Sequence, residues 1–297
     1  MGRGRDYLGS YRLIRMIRAG QTSQVWEAVN DTTREKVAIK SLVPEQRRNK
    51  QEIRNLQHEH TVAHGIDHEN IVSIHHVDIS GNIPYVVLDF VHGKNLKLMI
   101  RNEFETITYQ LPQLIIPMAI SLGHLHKAGW VHCDVKPDNY MIDSELGVIL
   151  IDFAIARKIR TGLGRLVGSI GKNVQGTLSY MAPEQIRGKA LDGRTDIYGL
   201  GCSIYEMLTG KPPFTGATPE ELLNKHIKAQ VPHVEASNKN VTGDFGDLLR
   251  QLMAKKPADR PGTMESVVER MKRVRVYNVF PKPPAGKDAA NTTDEIE

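Results

Sequence analysis

The stretch Val131 to Asn139 reads VHCDVKPDN, and Asp152 follows 13 residues after Asn139. Asp134 is a carboxylate that can accept a proton, and Lys136 sets a cation two residues on. Asn139 and Asp152 are hard oxygen donors of the kind Mg²⁺ takes. The residues between them read as strand, turn and strand: Tyr140-Met141-Ile142, then Ser144 to Gly147, then Val148 to Ile151. That hairpin returns Asp152 beside Asn139. Alone, Asp-x-Lys-Pro-x-Asn is equally a turn with surface charges; the returned aspartate argues for a site. Upstream, VAIK sets Lys40 inside an apolar strand, where an unpaired ammonium is costly to bury. Taken by itself, Lys40 reads equally as a strand-edge lysine with its tip in water. Earlier still, IRAGQTSQVWEAV (Ile17 to Val29) looks like half of a phosphate-binding loop. It holds one glycine, Gly20, and Arg18 stands where such loops carry their first.

Positioning these groups requires two kinds of element. Tyr11 to Ile17, Val25 to Val29 and Lys36 to Leu42 read as strands, with a turn at Asn30-Asp31-Thr32-Thr33. Ile71 to Asp78 and Tyr85 to Phe90 read as two more. Gln46 to Ala63, free of Gly and Pro, reads as a helix. From about residue 95 the period becomes helical: Leu96 to Ile100, Leu111 to His126, Thr195 to Leu208, Pro219 to Ala229, Phe245 to Met253 and Met264 to Val274. The 195–208 segment is apolar on several faces, which implies burial. Pro117 inside a helical stretch costs about 3 kcal/mol and predicts a helix that bends or begins late. The expected class is therefore α+β, with a small β-rich lobe (11–88), a connection (89–93) and a larger helical lobe (94–276). Residues 1–10 read as a flexible leader and 277–297 as a disordered tail.

The 297 residues carry 40% hydrophobic and 25% charged side chains, enough for a packed core. The formal charge of +5 suits anionic ligands. No basic stripe with interleaved aromatics argues for nucleic acid. Cys133 and Cys202 fit neither a disulfide framework nor a zinc site, so a reducing, cytoplasmic setting is expected. The N-terminus has no apolar run of the secretory kind, and no window is long enough to span a bilayer. His60 and His64 are a possible metal pair, but titrating histidines on a helix surface explain them more simply.

Four motifs, VAIK, VHCDVKPDN, IDFA (Ile151 to Ala154) and MAPE (Met181 to Glu184), occur in the order and spacing of eukaryotic-type protein kinases. The resemblance covers about residues 11–275. DVKPDN with Gly176-Thr177 resembles the serine/threonine branch, and DIYGLGCSIYEMLTGKPPF resembles its bacterial members. It implies a two-lobed kinase fold, Mg-ATP (Mn²⁺ being possible) and a protein substrate with Ser or Thr. Lys40 would meet the α- and β-phosphates, paired with Glu59 by family spacing; Glu52 reads as a solvated helix residue. Asp134 would be the base, Lys136 would neutralise the γ-phosphate, and Asn139 and Asp152 would hold the metal. Ile17, Gly20, Val25, Ala38 and Met141 would enclose the nucleotide. Asp89 to Val91 would be the hinge to adenine, with Leu88 behind. His132 and Phe153 would stack in a core column with Ile74, where Ala63 leaves a gap of about 1 kcal/mol of packing. Asp196 would hold the backbone of the 131–139 loop, and Glu184 would pair with Arg260. Asp138 and Glu206 could face a basic substrate residue, though Glu206 suits a buried pair equally.

Three departures stand out. The opening loop keeps Gly20 and Val25 but has Arg18 and Ser23 at the other glycine positions. Cys133 replaces an arginine that in the family pairs with a phosphate on the activation segment, which weakens activation by that route. Ala154 replaces the glycine after Asp152-Phe153 and restricts its backbone. The segment from Phe153 to Pro183 has five basic residues (Arg157, Lys158, Arg160, Arg165, Lys172) and no acidic ones. It reads either as a solvated loop or as a binder of an anion, such as a phosphate on Thr161 or Ser169. The leading reading is an active kinase; the alternative is a nucleotide-binding pseudokinase acting as an interaction switch. Protein substrate and oligomeric state are not legible in the sequence. Because Gly20 and Val25 are kept, Arg18→Gly should change the apparent ATP affinity by about 1 kcal/mol or less. Nucleotide titration checks this, and a change of several orders of magnitude would show the loop to be misread.

Overall fold

Alternating β-branched and aromatic residues in the first ninety positions build a sheet with two apolar faces. The computed structural model describes residues 7–143, 147–159 and 176–284. Its first sheet contains β1 (Tyr7–Leu8), β2 (Tyr11–Ala19), β3 (Ser23–Asn30), β4 (Lys36–Leu42), β5 (Ile74–Asp78) and β6 (Tyr85–Asp89), in the order β1-β2-β3-β4-β6-β5. Side chains alternate faces along β6. Tyr85 and Val87 join Leu8, Ala28, Val37 and Ile39 on one side; Val86 and Leu88 join Leu42, Leu56 and Val62 on the other.

The leader expected at 1–10 is partly structured. Tyr7 and Leu8 pair with Arg12 and Tyr11, and Leu8 is buried. Gly9 makes this turn possible: its φ is +57°, and a Cβ there would lie 2.5 Å from the Tyr85 hydroxyl. Residues 1–6 lie outside the described residues. The strand expected from Ile71 starts at Ile74, and Ile71 instead bridges Leu150 in parallel. The first helix is also shorter than expected. Pro44–Gln46 form a single 3-10 turn, and α1 (Lys50–Ala63) starts where the Asn49 side chain accepts the Gln51 and Glu52 N–H groups.

The second lobe begins with β7 (Gly93–Asn95), α2 (Leu96–Asn102) and α3 (Phe104–Lys127). Then come β8 (Trp130–Val131), β9 (Tyr140–Asp143), β10 (Val148–Leu150) and β11 (Arg157–Lys158). β9 pairs with β10 and β7, and β11 pairs with β8. After residue 176 follow α4 (Pro183–Ile186), α5 (Gly193–Thr209), α6 (Pro219–Lys228), α7 (Val234–Ser237), α8 (Gly243–Leu252) and α9 (Met264–Arg273). Helix α5 is buried from Thr195 to Leu208, as its all-round apolar pattern requires. Asp192 caps its start, and Gly210, at φ +73°, ends it. Arg260 joins Glu184 through paired contacts of 2.7 and 2.9 Å, both side chains buried, and also donates to the Ala254 and Arg194 carbonyls.

Helix α3 departs from expectation. It starts at Phe104, before Pro112, and runs through Pro112 and Pro117 to Lys127. Two interior prolines cost about 6 kcal/mol together at 3 kcal/mol each. Ile107, Leu111, Leu114, Ile115, Met118, Leu122 and Leu125 are fully buried along it, each worth roughly 1.5–3 kcal/mol, so packing wins. Pro112 has no N–H for the carbonyl four residues back, that of Thr108. The Tyr277 hydroxyl donates to that carbonyl at 2.8 Å. Tyr277 was expected in the disordered tail; it is buried, bridges Val241, and is followed by Asn278 and Val279 bonded to Asn240. Residues 285–297 lie outside the described residues.

Tyr277→Phe should lower unfolding stability by about 1 kcal/mol, because a part-buried carbonyl loses its partner. In a Pro112→Ala background the helix regains its own donor, so the same change should cost less than half as much. A urea-melting double-mutant cycle reads this coupling, and simple additivity would refute it.

Candidate active site

Register sets the first part of the site. Val25 stands directly opposite Lys40 across β3 and β4, and Ala38 stands opposite Leu88 across β4 and β6. The Lys40 ammonium lies 2.7 Å from the Glu59 carboxylate and 3.1 Å from that of Asp152. Glu59 is 1% exposed on the inner face of α1, whereas Glu52 meets Asn55 at the helix surface. Burial alone would lower the Lys40 pKa, but Asp152 and Glu59 outweigh it and hold the ammonium above its ordinary value. Burial raises Glu59 against the pull of Lys40. Burial would also raise Asp152, yet the charge and hydrogen bond of Lys40 bring its carboxyl down to about 2. Lys40 and Asp152 therefore stay charged together.

The 131–139 loop has no regular ladder of its own, so another element must satisfy its backbone. Asp196, buried on α5, does so. Its carboxylate accepts the His132 N–H at 2.8 Å, the Cys133 N–H at 2.9 Å and a bond from His126 Nε2 at 2.8 Å. Cys133 has φ +66°, unusual for a side chain with a Cβ, and the paired amides hold it there. Its thiol donates to the Val131 carbonyl at 3.5 Å.

The next residue, Asp134, is held on several sides. Thr177 N–H donates to Oδ1 at 2.9 Å, Lys136 Nζ lies 2.6 Å from Oδ2, and Asn139 Nδ2 lies 3.3 Å from Oδ2. Lys136 also reaches the Thr177 hydroxyl at 2.5 Å. The β9–β10 hairpin returns the chain as expected: Ile151 N–H donates to the Asn139 carbonyl at 2.9 Å. Asp152 follows with φ +68°. The Asn139 amide nitrogen is committed to Asp134, which leaves its side-chain oxygen as the group to face a cation. Among the described residues, no three His, Cys, Asp or Glu side chains gather around a common point. A metal here would be held by Asn139, Asp152 and its substrate's own oxygens, the mode that suits Mg²⁺. His60 and His64 stack at 5.1 Å and lack a third ligand of that kind.

Other expected residues fall around this centre. The His132 and Phe153 rings meet edge-on at 5.6 Å, with Ala63 and Ile74 in the same buried cluster as Phe153. Met141 sits on β9 opposite Asn95 and Ile149. The loop after β2 closes tightly, Gly20 N–H donating to the Ser23 carbonyl at 2.9 Å. Ile17 remains 48% exposed. Asp89 is exposed, its N–H is committed to the Ser73 carbonyl, and its carboxylate meets His75. Val91 packs against the main core. Arg160, Thr161, Arg165, Ser169 and Lys172 lie outside the described residues.

Sequence reasoning missed several contacts. Thr177 binds both Asp134 and Lys136 from 41 residues or more away; the Gly-Thr pair was legible, its role was not. Gln185 donates to the Cys133 carbonyl at 2.8 Å. Glu206, left open between substrate and core, is buried against Lys97 and the Tyr180 hydroxyl.

A strand-borne lysine paired to a helix glutamate thus stands beside an Asp-Lys-Asn loop and a returned aspartate, with a β-rich lobe on one side and a helical lobe on the other. The chain belongs to the protein kinase family: the protein kinase domain matches residues 11–271. It is 32% identical over 266 residues to a probable serine/threonine-protein kinase of Clostridium perfringens, covering 89% of this chain and 38% of that protein. It is 31% identical over 290 residues to serine/threonine-protein kinase PknB of Mycobacterium tuberculosis, covering 95% and 46% respectively. The chain thus spans about two fifths of the length of these relatives. Among the described residues, no helix is long and apolar enough to cross a membrane.

Both thiols are buried, and burial pushes Cys133 well up and Cys202 to about 12. Native protein should therefore show no fast-reacting thiol toward a disulfide reagent at pH 8, and two after denaturation. One fast equivalent in the native state would contradict the burial of Cys133.

Proposed function

We propose that the chain transfers the γ-phosphoryl group of ATP to a Ser or Thr hydroxyl of a protein. One observation carries the reading: Asp134 is fixed by Thr177, Lys136 and Asn139 beside a charged Lys40–Glu59–Asp152 group. Phosphoryl transfer needs positioning and charge neutralisation more than covalent chemistry. Asp134 accepts the hydroxyl proton as the new O–P bond forms and the bond to the β,γ-bridging oxygen breaks. Lys136, already against Asp134, neutralises charge on the transferred group. Lys40, steadied by Glu59, takes the α- and β-phosphates. Asn139 and Asp152 would hold Mg²⁺ or Mn²⁺, which when bound neutralises phosphate charge.

Ile17, Gly20, Val25, Ala38 and Met141 enclose the nucleotide in this reading, with Leu88, Asp89 and Val91 at the hinge. His132, Phe153, Asp196, Glu184 and Arg260 are structural supports. The free, buried thiols are consistent with a reducing, cytoplasmic setting.

Transfer from labelled ATP tests the proposal. Wild type should phosphorylate a generic protein substrate with Mg²⁺. Asp134→Asn should lose at least about a hundredfold, the lower range for a general base. Asp152→Asn should be inert. If wild type and Asp152→Asn are equally inert with Mg²⁺ and with Mn²⁺, the chain is a nucleotide-binding pseudokinase instead. A thermal shift with ATP that requires metal would separate both from a protein that binds no nucleotide.

A further inference from the structure

The Lys40–Glu59 contact exists only while α1 sits against the rest of the site, so something must hold α1 there. The arginine that in the family pairs with a phosphate on the activation segment is replaced here by Cys133, so other contacts must hold α1. One residue before Glu59, His58 Nε2 lies 2.7 Å from the Ala156 carbonyl. An imidazole donates from Nε2 in its Nε2–H tautomer and also when protonated. The His58 ring also stands edge-on to Trp130, with centroids 5.5 Å apart at 75°.

Both acceptor and ring belong to one hydrogen-bonded piece. Trp130 and Val131 pair with Lys158 and Arg157, and Ile159 N–H donates to the Gly129 carbonyl at 2.7 Å. The Lys158 ammonium lies 6.0 Å from the Trp130 ring centroid, and Ala156 N–H donates to the Phe153 carbonyl at 3.1 Å. This strand pair leads directly into the 131–139 loop on one side and follows Asp152 on the other. His58 therefore ties the glutamate-bearing helix to both parts of the site, through a backbone carbonyl and an aromatic edge that need no phosphate.

We propose that His58 is a positioning residue that holds Glu59 in contact with Lys40 through Ala156 and Trp130, and that this closure is independent of phosphorylation of the chain. It rests on the proposed kinase reading only in its effect on rate. The test is amide hydrogen exchange of residues 50–63 in phosphatase-treated, nucleotide-free protein, run beside labelled-ATP transfer. His58→Ala should speed exchange across α1 about fivefold, the worth of one ordinary hydrogen bond, and lower kcat by a similar factor with a smaller change in the KM for ATP. His58→Gln, whose amide nitrogen can replace Nε2, should restore both to within about twofold.

Three results would overturn the proposal: unchanged exchange in His58→Ala, no rescue by glutamine, or loss of α1 protection when wild type is dephosphorylated. If wild type transfers no phosphate while the exchange pattern holds, the kinase reading fails and the positioning role of His58 stands.

Discussion

The carboxylate of Asp196 is the constraint on which the site depends. The 131–139 loop must present Asp134, Lys136 and Asn139 from irregular backbone, and irregular backbone in a protein interior leaves N–H groups without partners. Asp196 collects two of them and a histidine at one buried point. A charge so placed is costly unless its lone pairs are filled; here three donors fill them. The anchor sits on the most buried helix among the described residues, and that helix is itself locked by Arg260 and Glu184. The unusual φ at Cys133 persists because its surroundings over-determine it.

Charge balance in the cleft follows the same logic. Lys40 stands between two carboxylates, and Lys136 between a carboxylate and a hydroxyl. Lys40 holds Asp152 in the ionised form and is held charged in return by Asp152 and Glu59. Glu206 shows the contrast. It is also a carboxylate, but Lys97 and Tyr180 enclose it, so its charge serves the junction of α2 with α5 rather than the cleft.

Much of this arrangement was legible in the sequence where a short-range rule governs it. The turn between Asn139 and Asp152 reflects a hairpin and is readable from residue periods, whereas Val25 is placed by the spacing to Lys40 in the family that the chain resembles. Contacts fixed by tertiary packing were not legible. Thr177 reaches Asp134 across 43 residues, and no local pattern encodes that distance. The helix through Pro112 and Pro117 starts earlier than its sequence suggests, because proline's local cost is visible in sequence while the burial that outweighs it is not. Tyr7 and Tyr277 sit in polar surroundings that resemble loose ends, yet each belongs to an ordered segment, one in a strand pair and one against α3.

The bond from Tyr277 to Thr108 also bears on where the domain ends. The match to the protein kinase domain ends at residue 271. The packed unit continues through Val276 and Tyr277, to Phe280 resting edge-on against Tyr109. A chain cut at the similarity boundary would keep every residue of the cleft and still expose the underside of the helix that supports it. The boundary that matters to an experimenter who trims this protein is therefore set by a proline in α3, some 165 residues earlier in the sequence than the tyrosine that answers it.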